Sequence, residues 1–267
     1  MTASRSLSVC IAGATGWTGR ALVPAVLAAP DLTLASAVSR SAAGRDLGEA
    51  LGGEPLNVPV YGGVPEALDG IDVLVDYTHA TAVKANVLAG VNAGVAVVIG
   101  SSGLTAADFA EIDAAARERS VGVVASGNFS LTAAMASAAA LLAARHLPQW
   151  EVIDYASATK ADVPSGTARE LAERLGEAQL GRPLDEIHGP VEARGATVGG
   201  TQIHSVRLPS FVVSTEVVFG LPDERLTIRH DAGGTPEPYV AGTLLAVRRV
   251  RERPGLTRGL DTLLLSG

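Results

Sequence analysis

The feature that most constrains this chain is a glycine turn set between a strand pattern and a helix pattern. Leu7 to Ala12 is a short apolar run, and Gly13-Ala14-Thr15-Gly16-Trp17-Thr18-Gly19 follows it. A helical pattern then runs from Thr18 to Ala29 and stops at Pro30. Glycine permits a tight turn there and lets backbone N–H groups at the helix start approach a pyrophosphate. The spacing G-x-x-G-x-x-G is a variant of the dinucleotide-binding fingerprint. Four more segments extend the pattern: Leu32 to Val38, Ile71 to Tyr77, Val95 to Ile99 and Val121 to Ala125. Each has strand length and is almost continuously apolar, as strands covered on both faces are. Between the last two, Thr105 and Asp108 predict a capped helix reaching about Arg119. The fold class is therefore α/β, beginning with a Rossmann domain built on a doubly wound parallel sheet.

The second half reads differently. Leu131 to Arg145 is alanine-rich and predicts one buried helix; Glu151 to Tyr155 predicts a strand, and Ser165 to Leu175 a helix. Three strand-like segments follow, at 202–208, 211–219 and 225–230, with Leu221-Pro-Asp-Glu joining the last two as an antiparallel pair. This predicts a C-terminal α+β domain with a mixed or antiparallel sheet over residues 130–238. Helical spacing returns from Tyr239 to Arg249.

Composition excludes several functions. The chain carries 21 Lys and Arg against 28 Asp and Glu, a net charge of −7, which argues against a broad grip on nucleic acid or an anionic membrane. One cysteine, Cys10, rules out an internal disulfide. No two histidines stand at i, i+4, and no metal site is expected. No apolar run approaches the ~18 residues of a membrane span. The first eight residues hold no long apolar signal core, so a cytoplasmic protein is expected.

The nucleotide reading can be refined. An acidic residue at the end of the second strand would bind the ribose hydroxyls of NAD, but Ser39-Arg40-Ser41 stands there. A guanidinium flanked by hydroxyls suits a 2′-phosphate, so NADPH is favoured, with NADH still open. Gly13, Thr15, Gly16, Trp17, Thr18, Ser39 and Arg40 are the first candidate cofactor residues. Tyr77 and Thr78 close the third strand, and Gly100 and Ser102 follow the fourth, where doubly wound folds present ligand loops. A second anion site is read from Lys160-Ala-Asp-Val-Pro-Ser165-Gly166-Thr167, which precedes a helical pattern. Ser165, Gly166 and Thr167 would offer hydroxyls and N–H groups at a helix N-terminus, and Lys160 a positive charge.

At this point the chain resembles the 4-hydroxy-tetrahydrodipicolinate (dihydrodipicolinate) reductases of lysine biosynthesis. The resemblance rests on the glycine turn, 44–48, 72–78, 100–103, Asn128-Phe129-Ser130, 160–168, 203–208 and 226–231, in order and spacing. It implies a Rossmann domain, 1–129, completed by 239–267, and a tetramer-forming α/β domain. It also implies hydride transfer to an unsaturated cyclic dicarboxylate, Asn128 and Phe129 beside the cofactor, and Lys160, Ser165, Gly166 and Thr167 on the substrate carboxylates, with Lys160 as the catalytic candidate. The partners implied are a small carboxylate substrate and further copies of this chain.

Four departures stand against it. Where the family carries a histidine-rich run with its proposed general acid, this chain has Ala156-Ser157-Ala158-Thr159. Trp17 replaces an arginine, Thr132-Ala133-Ala134 replaces Gly-Val-Asn, and residues 233–238 replace an Arg-x-Ser-Phe segment. Three functions therefore stay open: the family's reductase, a paralogous imine reductase or amine dehydrogenase, and an inactive nucleotide-binding homologue. If the family's reaction is retained, Asp154 and Tyr155 are the candidate substitute proton donors.

Overall fold

The computed structural model describes residues 5–178 and 188–266; Met1 to Ser4, part of the stretch read for a signal core, lie outside them. The chain divides into two compact units, residues 1–129 with 236–267, and residues 130–235.

The first unit alternates strand and helix: β1 (Leu7–Ala12), α1 (Trp17–Ala28), β2 (Leu32–Val38), α2 (Leu47–Ala50), β3 (Val60–Tyr61), β4 (Val73–Asp76), α3 (Val83–Asn92), β5 (Ala96–Ile99), α4 (Ala106–Glu118) and β6 (Gly122–Ala125). Every residue of β4, β5 and β6 is buried, which is why their sequences run apolar without alternating. The α4 start is fixed locally. Asp108 N–H donates to Thr105 Oγ1 at 3.2 Å, and Thr105 N–H donates back to Asp108 Oδ2 at 2.9 Å.

The second unit contains α5 (Leu131–Ala143), β7 (Trp150–Ala156), α6 (Gly166–Gly176), β8 (Ala196–Val198), β9 (Thr201–Arg207), β10 (Val213–Leu221) and β11 (Glu224–Asp231). Its five-stranded sheet has the order β11-β10-β7-β9-β8; β7 and β9 are parallel and the other pairs antiparallel. Val152, Ile203, Val217 and Phe219 on one face pack with Ala168, Leu171, Ala172 and Leu175 of α6 and Ala140 of α5. Each large side chain buried there stabilises the fold by about 1.5–3 kcal/mol. Further along the same face the register sets Ser205, Asp154, Thr215 and His230 in one cross-strand row. The apolar core thus gives way to a polar edge. The buried helix expected at 131–145 is corrected: α5 buries Ala133, Ala134 and Ala140 and packs Leu141 part-buried against the core, while Leu142 is 58% exposed. Leu, Met and Ala on the outer face made the whole segment look apolar.

The chain then returns to the first unit with α7 (Pro238–Arg249), β12 (Gly255–Arg258) and α8 (Leu260–Leu265). β12 pairs in parallel with β6, completing a seven-stranded sheet of order β12-β6-β5-β4-β1-β2-β3. Its sequence, GLTR, has no apolar run to mark it; an edge strand needs none. No helix among the described residues is long and apolar enough to cross a membrane.

Candidate functional site

In the first unit the glycine turn is closed by backbone on two sides. Gly13 has φ +85°, and a Cβ there would lie 2.3 Å from the Tyr77 carbonyl oxygen. One at Gly19 would lie 2.2 Å from the carbonyl oxygen of Gly13. Only glycine lets the helix start sit this tightly on the turn. No side chain caps α1 at Gly16, and no acidic residue occupies its first turn, so the positive helix end is left for an anion. Thr15 Oγ1 and Ser39 Oγ are hydrogen-bonded at 2.7 Å, and Ser39 Oγ reaches Ser41 Oγ at 3.3 Å. This ties the turn to the end of β2. Arg40 is exposed and has no ion pair or side-chain hydrogen bond among the described residues. Sequence reasoning passed over Arg20, whose Nε donates to the Thr15 carbonyl at 2.9 Å; its place one helical turn after Gly16 was the available signal.

The ends of β4 and β5 are organised by a buried carboxylate. Asp76 accepts from Thr78 N–H at 3.0 Å, Thr78 Oγ1 at 2.8 Å, Ser101 Oγ at 2.6 Å and Asn86 Nδ2 at 2.8 Å. It fixes both loops at once. Two of the expected cofactor residues, Tyr77 and Phe129, pack their side chains against the fold here. Thr243 Oγ1 donates to the Tyr239 carbonyl at 2.8 Å, so Tyr77 donates its own hydroxyl to Thr243, also at 2.8 Å. Burial raises the Tyr77 phenol well above its ordinary pKa. Its ring meets Phe129 edge-on at 6.2 Å, and Phe129 is only 1% exposed. Phe129 is core, and Tyr77 is half-buried against it. Gly100 is small because a Cβ there would come within 2.2 Å of the Tyr77 ring. Thr78 is half-buried, Ser102 is exposed after β5, and Asn128 is buried, its carbonyl accepting from Ser126 Oγ at 2.9 Å. Trp17 is 52% exposed and packs edge-on against Tyr239 at 5.9 Å, with Thr18 beside it at the helix start. Burial pushes the Cys10 thiol up to about 11, so it is no nucleophile.

In the second unit the loop of Lys160 to Thr167 is held by groups the sequence did not single out together. Asp154 is fully buried and accepts from Ser165 N–H at 2.9 Å, Ser165 Oγ at 2.6 Å, Ser205 Oγ at 3.2 Å and Arg207 Nη2 at 2.8 Å. Ser165 Oγ also caps α6 by accepting from Ala168 N–H at 3.3 Å. Lys160 Nζ pairs with Asp162 Oδ1 at 2.8 Å, while Gly166 N–H donates to Asp162 Oδ2 at 3.2 Å. Burial opposes ionisation of Asp162, yet Lys160 and the Gly166 N–H hold its carboxyl below the usual range. The structure brings Lys160, Ser165, Gly166 and Thr167 to one helix start. Several donors there already have protein partners.

Both candidate substitute acids are held by protein partners. Asp154 acts wholly as an acceptor. Tyr155 donates to Glu216 at 3.3 Å and stacks on Phe211 at 5.1 Å; burial and the Glu216 charge raise its pKa. His204 pairs with Glu151 at 2.7 Å, and His230 Nε2 lies 3.1 Å from Thr132 Oγ1. Burial lowers the His230 pKa, against the pull of Asp231.

Models of the dihydrodipicolinate reductase N-terminus and C-terminus match residues 7–129 and 127–264. The chain belongs to the dihydrodipicolinate reductase family. It is 37% identical to the 4-hydroxy-tetrahydrodipicolinate reductase of Thermosynechococcus vestitus, over 98% of each chain. It is 39% identical to that of Synechococcus elongatus, over 97% of this chain and 98% of the relative. Among solved structures, a dipicolinate-bound dihydrodipicolinate reductase from Paenisporosarcina sp. TG-14 superposes with a TM-score of 0.74. The two are 28% identical, and the match covers 96% of this chain and 99% of that one. An amine dehydrogenase from Mycobacterium smegmatis shares the fold at 17% identity and a TM-score of 0.65, over 96% of this chain and 95% of that one. The stretch at 156–159, one of the four departures read from the sequence, ends β7 and opens the loop to Lys160. Ala156 is fully buried at the end of β7, Ser157 is half-buried, and Ala158 and Thr159 are exposed. The first position of the family's histidine run is closed here, and the rest is open.

Proposed function

We propose that the chain is a nicotinamide-dependent reductase acting on an unsaturated cyclic dicarboxylate, with NADPH as preferred cofactor. The observation that carries the substrate class is the loop at 160–167, where an ammonium group and a helix start converge. A relative that carries dipicolinate supports the same class. The NADPH preference is supported by Arg40, a guanidinium with no side-chain partner among the described residues, beside the Ser39 and Ser41 hydroxyls. The closed glycine turn and the uncapped α1 start fit a pyrophosphate. The cofactor, when bound, supplies the hydride.

The protein's part is to hold and to orient. Lys160 and the α6 start draw the substrate carboxylates and fix the ring. The Asp154–Arg207 pair, at 2.8 Å, keeps that start rigid. Reduction of the double bond also consumes a proton. With Asp154 and Tyr155 committed and 156–159 lacking an acid, water supplies it. The same lack favours a second reading, a substrate that arrives as a protonated imine and is electrophilic without an acid. We further expect a homotetramer through the sheet face opposite α5 and α6, where Ile153, Tyr155, Val206 and Val218 are part-exposed. A monomer in light scattering at micromolar concentration would refute it.

The test is NADPH oxidation with the family's dipicolinate precursor, beside cyclic and linear imines bearing carboxylates. Turnover of the precursor supports the first reading, and turnover of imines alone the second. NADPH binding with no turnover of any of them overturns both.

A further inference from the structure

The substrate-carboxylate loop already contains a carboxylate. Asp162 spreads its two oxygens between Lys160 Nζ, at 2.8 Å, and Gly166 N–H, at 3.2 Å. These are the donors that the proposed function assigns to a substrate carboxylate. The backbone of Asp162 is pinned separately, because Arg207 Nη2 donates to its carbonyl at 2.9 Å. Its side chain can therefore leave by rotation about its own bonds while the loop stays in place. The charges also balance without a ligand: Lys160 faces Asp162, and Arg207 faces Asp154.

We infer that Asp162 is an internal stand-in for the substrate carboxylate, seated in the free protein and turned out when a dicarboxylate binds. The inference rests on the reading of 160–167 as the substrate site. An attached carboxylate competes at an effective concentration on the order of millimolar or higher, and any ligand must displace it. A monocarboxylate that takes its place exchanges one ion pair for another and gains little. A dicarboxylate makes the same exchange and keeps a second carboxylate for further contacts. Asp162 thereby sets the threshold above which an anion is accepted.

The experiment is calorimetric titration of the full-length protein with dipicolinate and with pyridine-2-carboxylate. Asp162→Asn keeps the shape and an acceptor for Gly166 N–H but removes the charge. Both ligands should then bind about three- to tenfold more tightly, by a similar factor, because one competitor has been removed for each. A gain in affinity is something a merely disturbed loop does not produce. Asp162→Ser, smaller and neutral, should give the same gain and serves if the amide variant folds poorly. Unchanged or weaker binding in the folded variants overturns the inference. Lys160→Ala separates the two levels of the argument: it should weaken dipicolinate binding at least tenfold. If it leaves binding unchanged, the site reading itself fails, and the inference with it.

Discussion

Asp154→Asn tests whether one buried carboxylate organises the substrate loop. The amide is nearly isosteric, so packing around β7 is preserved and the change is electrostatic. Asp154 accepts four hydrogen bonds, three of them at Oδ2, from Ser165 N–H, Ser205 Oγ and Arg207 Nη2. An asparagine can keep its carbonyl oxygen at that position and turn its NH₂ toward Ser165 Oγ, a hydroxyl able to accept. The three donors at that oxygen thus stay satisfied, while the buried Ser165 hydroxyl loses the acceptor for its own proton and Arg207, whose side chain is 15% exposed, loses its ion-pair partner. Breaking a buried pair on one side costs about 3–5 kcal/mol, and the retained neutral hydrogen bonds return part of that. The expected loss is about 2–4 kcal/mol in urea denaturation at neutral pH. Arg207→Met alone should lose a similar amount, and the double variant less than the sum by about 1–3 kcal/mol. The KM for a carboxylate substrate should rise in the single variants, since Ser165 starts α6. A loss below about 1 kcal/mol with additive singles would refute the account.

Three further outcomes follow from the geometry. Arg40→Ala should weaken NADPH binding about ten- to a hundredfold and leave NADH nearly unchanged; equal losses would assign Arg40 to the fold. Histidine restored at Ala156 should destabilise by about 1–3 kcal/mol or more, because that side chain is fully buried, whereas Ser157→His should fold normally. If a missing acid limits turnover of the dipicolinate precursor, Ser157→His should also raise it by up to roughly 10²–10⁴-fold, and an unchanged rate would show that it does not. Finally, burial lowers the His230 pKa in the folded chain, so the unfolded chain takes up its proton at higher pH. Stability should then fall as pH drops from about 8 to about 5.5, and His230→Gln should flatten that slope; an identical slope in both proteins would rule His230 out.

The sequence by itself determined what depends on neighbours along the chain. The continuous apolar runs gave the parallel sheet, because burial on both faces writes itself directly into composition. The Thr105 and Asp108 box and the Leu221 to Glu224 hairpin were legible because the closing partners stand three residues apart in each. The glycine turn was readable as a turn, and Ser165 as the start of a helix. Only the tertiary structure decided who holds whom. Asp154 meets Arg207 because β7 and β9 run parallel in one register, and no local periodicity fixes a register between strands so far apart. That the Tyr77 ring occupies the side-chain space of Gly100 likewise shows only in the fold. Asp162 looked like a loop residue until its carboxylate was found between Lys160 and Gly166. Residue types are local and can be read along a line, but pairing across a fold is set by distances that exist only once the chain has packed.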